Sequence, residues 1–212
     1  MPDPPTDVET LESRLHACDE EALAALFSRH RERLWRIARF RLPDKLRGRV
    51  DPDDVLQDAY LSALQRLTHY AGGSSFLWLR LIVNQTLVDL HRRHLGAQMR
   101  DAGREVAIHG VPHTEATSAS MAITLVGSLT SPSQAAVRDE TLDIVERAIE
   151  GMDPIDREVL ALRHFEELTN SEVAGALGIQ PKAASIRYIR ALRRLKAILA
   201  EVPGLTDETR NG

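Results

Sequence analysis

The sequence has a single cysteine, Cys18, in 212 residues, so no internal disulfide can form, and no cysteines or histidines pair at zinc-site spacing. Neither kind of staple is expected to hold this fold. Aromatic residues make up only 4% of the chain, while Leu, Ala, Arg and Glu dominate, a balance that favours helices over sheets. The start, MPDPPTDVET, is acidic and proline-rich where an export signal needs positive charge followed by an apolar stretch. The longest uncharged stretch, 116–137, holds many Ser and Thr with Gly127 and Pro132, and is too polar for a membrane span. No glycine-rich phosphate loop, no nucleophile with a base and no metal motif appears. The expectation is a cytoplasmic chain with no catalytic residues, no cofactor, no metal and no membrane partner.

What is present is ordinary for a globular protein, with 43% hydrophobic and 27% charged residues. The length suits two small units as well as one domain. From Asp19 the apolar residues Leu23, Leu26, Phe27, Leu34, Ile37 and Leu42 recur at helical spacing, with Pro43 as the stop. Asp51-Pro52 opens a second long helix, DPDDVLQDAYLSALQRL, to about Leu67. The segment 68–75, THYAGGSS, is a loop by its glycines, and FLWLRLIVNQTLVDLHRRH supplies a third helix with Leu79, Ile82, Val83, Leu87 and Leu90 on its apolar side. Between about 95 and 130 the periodicity is lost and Gly, Ser, Thr and His accumulate, which predicts an interdomain linker with nothing able to bury a core. Ser131-Pro132-Ser133-Gln134 fits a capping box, Asp153-Pro154 opens another helix, and Thr169 with Glu172 caps a third.

That third helix ends at Gly178, and Gln180-Pro181 opens a longer one after about three residues, which is helix-turn-helix geometry. Ala174 and Ala184 flank the turn where close helix contact favours small residues. From 169 to 200 the cations Lys182, Arg187, Arg190, Arg193, Arg194 and Lys196 stand against one anion, Glu172, a net +5. From 135 to 168 the cations Arg138, Arg147, Arg157 and Arg163 stand against ten Asp and Glu, a net −6. This polarity inside one small domain points to a duplex meeting one side of it. A solvated helix face is the plainer reading of the arginines taken alone.

Other residues fall into patterns with two readings. Asp54 and Asp58, with the Gln57 amide beside them, share one helix face that suits a basic partner helix, or else the carboxylates serve as helix-start acids against the macrodipole, which suffices for Asp53. Arg80, Asn84, Val88 and His91 form a stripe opposite the apolar side, with hydrogen-bonding groups at the separation of successive nucleotides. Phe76 and Trp78, next to 70–73, are either stacking platforms for unpaired bases or simply core. His91 and His94 belong to a basic tip, and His30 is a core or boundary residue.

Together these segments resemble the small extracytoplasmic-function sigma factors of the sigma-70 family, over about 19–199. DPDDVLQDAYLSALQRL is similar to the family's polymerase-binding helix. WLRLIVNQTLVDLHRR is similar to its minus-ten promoter helix, including Asn84, Asp89, Arg92 and Arg93, and IDREVLALRHFEELTNSEVAGALGI to its minus-thirty-five domain. The resemblance implies the polymerase clamp coiled coil as the partner of the Asp54, Gln57, Asp58 face, and a pocket for a flipped promoter base in 68–75. The recognition helix departs from the family's frequent Thr-Val-Lys-Ser-Arg run, with Ala183-Ala184-Ser185-Ile186-Arg187 in its place.

The resulting expectation is an all-α chain of two small helical domains joined by a flexible linker, the second a winged-helix-like helix-turn-helix. The boundaries are a tail and first helix at 1–18, a region 2 domain at 19–95, a linker at 96–130, a region 4 domain at 131–201 and a tail at 202–212. The expected sites are Asp54, Gln57 and Asp58 for core RNA polymerase, and Arg80, Asn84, His91, Arg92 and Arg93 for the minus-ten element. Lys182, Ser185, Arg187 and Arg190 are expected at the minus-thirty-five element. The partners are bacterial core RNA polymerase and promoter DNA, with an anti-sigma factor as a further candidate. The competing reading is a polymerase-independent helix-turn-helix regulator with an N-terminal sensor or dimerisation domain, which would need neither the acidic face nor the basic helix.

Overall fold

The computed structural model describes residues 8–42, 46–95, 116–129 and 135–201, and the chain divides between Pro112 and His113 into two compact units. Among the described residues there is no β-strand, only an isolated bridge between Arg47 and Val50. The described part of the second unit therefore consists of helices and the short turns between them and shows no wing there.

In the first unit α1 spans Val8–His16, α2 Glu20–Arg41, α3 Pro52–Gln65 and α4 Ser75–Leu95. Asp19 caps α2 as its sequence position implies, its carboxylate accepting from the N–H groups of Glu21 and Ala22. Asp51 caps α3 with Pro52 at the first helical position, and Asp54 completes a capping box by accepting from the Asp51 N–H at 3.4 Å. α2 packs on both α3 and α4, α3 on α4, and α1 on α2. The core between them holds Leu23, Leu26, Leu34, Ile37, Val55, Ala59, Leu79, Val83 and Leu87. Pro43, the expected stop of α2, lies outside the described residues, and the helix ends one residue before Leu42.

In the second unit α5 spans Ala116–Leu129, α6 Ala135–Glu150, α7 Pro154–Leu160, α8 Asn170–Leu177 and α9 Pro181–Glu201, and α7 runs on into a π-helical turn at Ala161–Phe165. α5 corrects the reading of 95–130 as unable to bury a core. It packs on α6 and buries Met121, Ala122, Leu125 and Val126 together with Ser118 and Ser120. The physical reason lies in the hydroxyls: Thr124 donates to the Ser120 carbonyl at 2.8 Å, so a Ser/Thr-rich stretch can satisfy its polar groups inside its own helix. The rest of the expected linker, 96–115, the capping box at 131–134 and the tail at 202–212 lie outside the described residues.

α7 and α8 both pack on α9. Thr169 and Glu172 form the expected capping box, at 3.2 and 2.8 Å. Gly178 ends α8 in the left-handed region with φ 63°, and the N–H of Ile179 returns to the Ala174 carbonyl at 3.0 Å, closing the helix as glycine permits. Asn170 Nδ2 donates to the Pro181 carbonyl at 2.9 Å, tying the start of α8 to the start of α9. Ala174 and Ala184 are both buried, as the turn requires.

Candidate nucleic-acid interface

α9 turns three faces to its surroundings. Ala184, Ala191 and Leu195 are buried. The second face is engaged with the acidic scaffold: Arg190 donates through Nε and a terminal nitrogen to both oxygens of Asp156 at 2.6 Å, Arg187 donates to the same carboxylate at 2.9 Å, and Arg194 reaches the Gly151 carbonyl at 3.2 Å. Burial alone would raise the pKa of Asp156, but the hydrogen bonds from Arg190 and Arg187 outweigh it and hold the carboxyl below its ordinary value. The same carboxylate raises the pKa of Arg190. Two of the three cations expected on the minus-thirty-five element, Arg187 and Arg190, thus have an intramolecular partner that the sequence does not announce. The third face is exposed and carries Lys182 and Ser185.

On α3, Asp54 is exposed but also serves the capping box, Gln57 is exposed, and Asp58 is part-exposed. Asp58 stands 3.6 Å from the Arg93 guanidinium on α4, at the side of an open groove of about 230 Å³ that Asp89 also lines. Arg93 further donates to the Asp89 backbone carbonyl at 3.4 Å. Asp53 is not idle either: it pairs with Arg31 and accepts from Trp35 Nε1 at 3.3 Å, pinning the start of α3 to α2.

The stripe on α4 does not lie on the surface. Arg80 and Asn84 are each only 3% exposed, Val88 is buried and His91 is half-buried. Neither amide atom of Asn84 has a hydrogen-bond partner, nor does Nδ1 of His91. Helical spacing separated this stripe from the apolar one, but α4 is buried on most of its circumference, so polarity was a poor guide to its outward side. Arg92 and Arg93, at the C-terminal end of α4, are exposed. The side chain of His94 lies outside the described residues.

The loop before α4 is tightly held. Tyr70 is buried, its hydroxyl donates to the Gly73 carbonyl, and Gly72 and Gly73 adopt φ 90° and 88°. Burial, with the nearby Glu12 carboxylate, pushes the Tyr70 phenol up to about 12. Glu12 on α1 accepts from the Ser75 N–H at 2.6 Å and so caps α4 from a distant helix. Phe76 is core, 2% exposed with the Arg33 guanidinium 3.6 Å from its ring centroid, which removes it as a stacking platform. Trp78 is part-exposed against Tyr70, ring centroids 5.2 Å apart. His30 packs on Phe76 at 5.4 Å, a boundary residue.

Residues 26–95 match the family model for sigma-70 region 2 and residues 142–195 that for sigma-70 region 4, together more than half of the chain and in the order of the two units. The chain belongs to the sigma-70 family. It is a sigma factor of the extracytoplasmic-function group, directing RNA polymerase to promoters for transcription initiation. The family's members are DNA-binding initiation factors without catalysis of their own, and its presence here disfavours a polymerase-independent regulator.

Among similar proteins, the RNA polymerase sigma factor NccH of Alcaligenes xylosoxydans xylosoxydans is 28% identical over 94% of this chain and 97% of its own length. CarQ, an RNA polymerase sigma factor of Myxococcus xanthus, is 28% identical over 86% of this chain and 92% of its own. The extracytoplasmic-function sigma factor SigD of Mycobacterium tuberculosis is 29% identical over 85% and 78%. The structure of CnrH in complex with the cytosolic domain of CnrY shares the fold, with a TM-score of 0.52 and 24% identity over 91% of this sigma factor and 97% of CnrH. No described helix is long and apolar enough to cross a membrane.

Proposed function

We propose that this sigma factor divides its work between the units, with a region 2 domain at 19–95 that binds core polymerase and the melted minus-ten strand, and a region 4 domain at 131–201 that docks on the minus-thirty-five duplex. The observation that carries the reading is α9. It follows a glycine-closed helix-turn-helix joint, leaves one face exposed, and lies in a stretch, 173–200, with six cations and no anion. On α3, Gln57 and Asp58 form the polymerase contact, with Asp54 contributing from within its capping box. At the minus-ten element the exposed Arg92 and Arg93 hold phosphate, while buried Asn84 and Arg80 act by shaping α4, and His91 stands at the boundary. At the upstream element Lys182 and Ser185 meet the duplex, while Arg187 and Arg190 position α9 by gripping Asp156.

The protein acts in the cytoplasm, alongside the polymerase, and performs no chemistry itself. CnrH is seen bound to the cytosolic domain of CnrY, and we extend to this chain a protein partner of the anti-sigma kind. Reconstitution with core polymerase and mapping of transcripts from a genomic template tests the whole reading. Start sites that share two spaced upstream motifs are expected; transcripts without shared motifs, or none above core enzyme alone, refute it.

A further inference from the structure

The exposed face of α9 is not simply basic. Ile186 is 56% exposed and Ile189 49%, two of the three large hydrophobic side chains most exposed among the described residues. At about 100° per residue, Lys182, Ile186, Ile189 and Arg193 fall within about 60° of one another around the helix. Ser185 lies at the edge of this stripe. The arginines engaged with the scaffold, Arg187, Arg190 and Arg194, sit about 80–140° round from Lys182, and the buried Ala184, Ala191 and Leu195 lie on the far side. The outward stripe therefore reads cation, isoleucine, isoleucine, cation along nearly three turns. A solvated face has no use for paired β-branched residues, and a core face has no use for the cations that bracket them.

Duplex DNA offers a surface of matching chemistry. In the major groove the one apolar feature at the base edges is the thymine 5-methyl group, and phosphates flank the groove on both sides. We propose that Ile186 and Ile189 read thymine methyl groups in the upstream promoter element, with Lys182 and Arg193 seating the helix on the bordering phosphates. The inference rests on the reading of α9 as the duplex-binding helix. It shifts base selection from the arginines, whose guanidinium groups hold Asp156, to a pair of apolar side chains. The expected upstream element accordingly contains thymine at one or two fixed positions, on steps that a helix advancing by one turn can reach together.

Deoxyuridine tests this directly, because it keeps the Watson–Crick edge of thymine and lacks only the methyl group. Holoenzyme assembled from the full chain and core polymerase is first used to select from a randomised upstream element. Each selected thymine is then replaced by deoxyuridine and affinity is measured by competition. At the thymines that are read, replacement is expected to weaken wild-type binding about 3- to 5-fold, the size of one buried methyl group. Ile186→Ala and Ile189→Ala should each lose the preference for one thymine and become indifferent to deoxyuridine there. Both side chains are exposed, so the variants should keep the wild-type circular dichroism, and Ile186→Val and Ile189→Val should retain most of the discrimination. If Lys182→Ala weakens holoenzyme binding while wild type is indifferent to deoxyuridine at every position, the helix reads duplex by other means and the inference is wrong. If Lys182→Ala is also without effect and the upstream element can be randomised at no loss, the assignment of α9 to duplex fails and carries the inference down with it.

Discussion

Asp156 is the residue on which the second unit's polarity turns. It is buried in α7 and accepts three hydrogen bonds from two arginines of α9, so the acidic and basic halves of the unit are joined at one carboxylate. Asp156→Asn should cost about 1.5–3 kcal/mol, the range for hydrogen bonds between charged groups, and should loosen α9 on α7. Because the folded-state pKa is depressed, the stabilisation is fully present above the unfolded value of about 3.9 and is lost as pH falls through the lower folded value. The gap between wild type and Asp156→Asn should therefore close in acid. Both tryptophans, Trp35 and Trp78, lie in the first unit, so fluorescence would miss the event. Amide exchange of α7 and α9 at pH 7 and in acid reports it, and equal protection in both proteins at pH 7 would refute the role. The charge segregation behind this pair was readable from the sequence as −6 against +5. The pairing was not, because nothing in residue spacing says which of ten acids meets which of six cations across 31 and 34 positions of chain.

Elements were most legible where caps and periodicity agreed. The starts of α2, α3, α7 and α8 follow from Asp19, Asp51, Asp153 and Thr169, each of which accepts the expected backbone N–H groups. α5 is hidden in the sequence because Ser and Thr favour loops, whereas inside a helix their hydroxyls can turn back on the preceding turn, as Thr124 does on Ser120. The apolar stripe of α4 lies inward as its spacing implies, but the polar stripe expected opposite it is buried too. Arg80 and Asn84 look like surface residues until the packing of α4 on α2 and α3 is known. The helix-turn-helix joint rests on Gly178, whose φ of 63° disfavours any residue with a β-carbon even though no neighbouring atom stands within 4 Å of one. Gly178→Ala should cost about 1–2 kcal/mol through the backbone alone and should lower occupancy of the upstream element more than core-polymerase affinity. An Ala variant with unchanged thermal stability would show that the joint tolerates another conformation.

At the scale of the whole molecule, the polymerase and promoter attachments are expected to reinforce each other. Polymerase binding is most cleanly tested at Gln57, which is exposed and takes no part in the capping box that complicates Asp54. Gln57→Arg should weaken core binding about tenfold, or ~1.4 kcal/mol, with circular dichroism unchanged; full affinity would exclude this face of α3. Asp58 is a second probe, but its reversal also sets a cation beside Arg93 and strains α3 against α4.

The chain carries a formal net charge of −4, so the cations of α9 act against the field of the rest of the protein. Free sigma factor should therefore bind promoter duplex weakly, and attachment to core polymerase should supply the missing affinity by holding α9 at high effective concentration over the element. Such coupling is worth about 10²–10⁴-fold without any new contact. Fluorescence anisotropy with free protein and with holoenzyme, on the same duplex at two salt concentrations, measures the gain. Within holoenzyme each phosphate contact contributes about 0.9 to the slope of log affinity against log salt. Lys182→Ala should flatten that slope by about one unit and weaken all upstream sequences alike, because phosphate contacts carry no sequence information. Arg190→Ala should leave the slope nearly unchanged and act instead through the stability of the α7–α9 joint, since its guanidinium is committed to Asp156. A slope change for Arg190→Ala equal to that for Lys182→Ala would mean that Asp156 releases its arginine when DNA arrives.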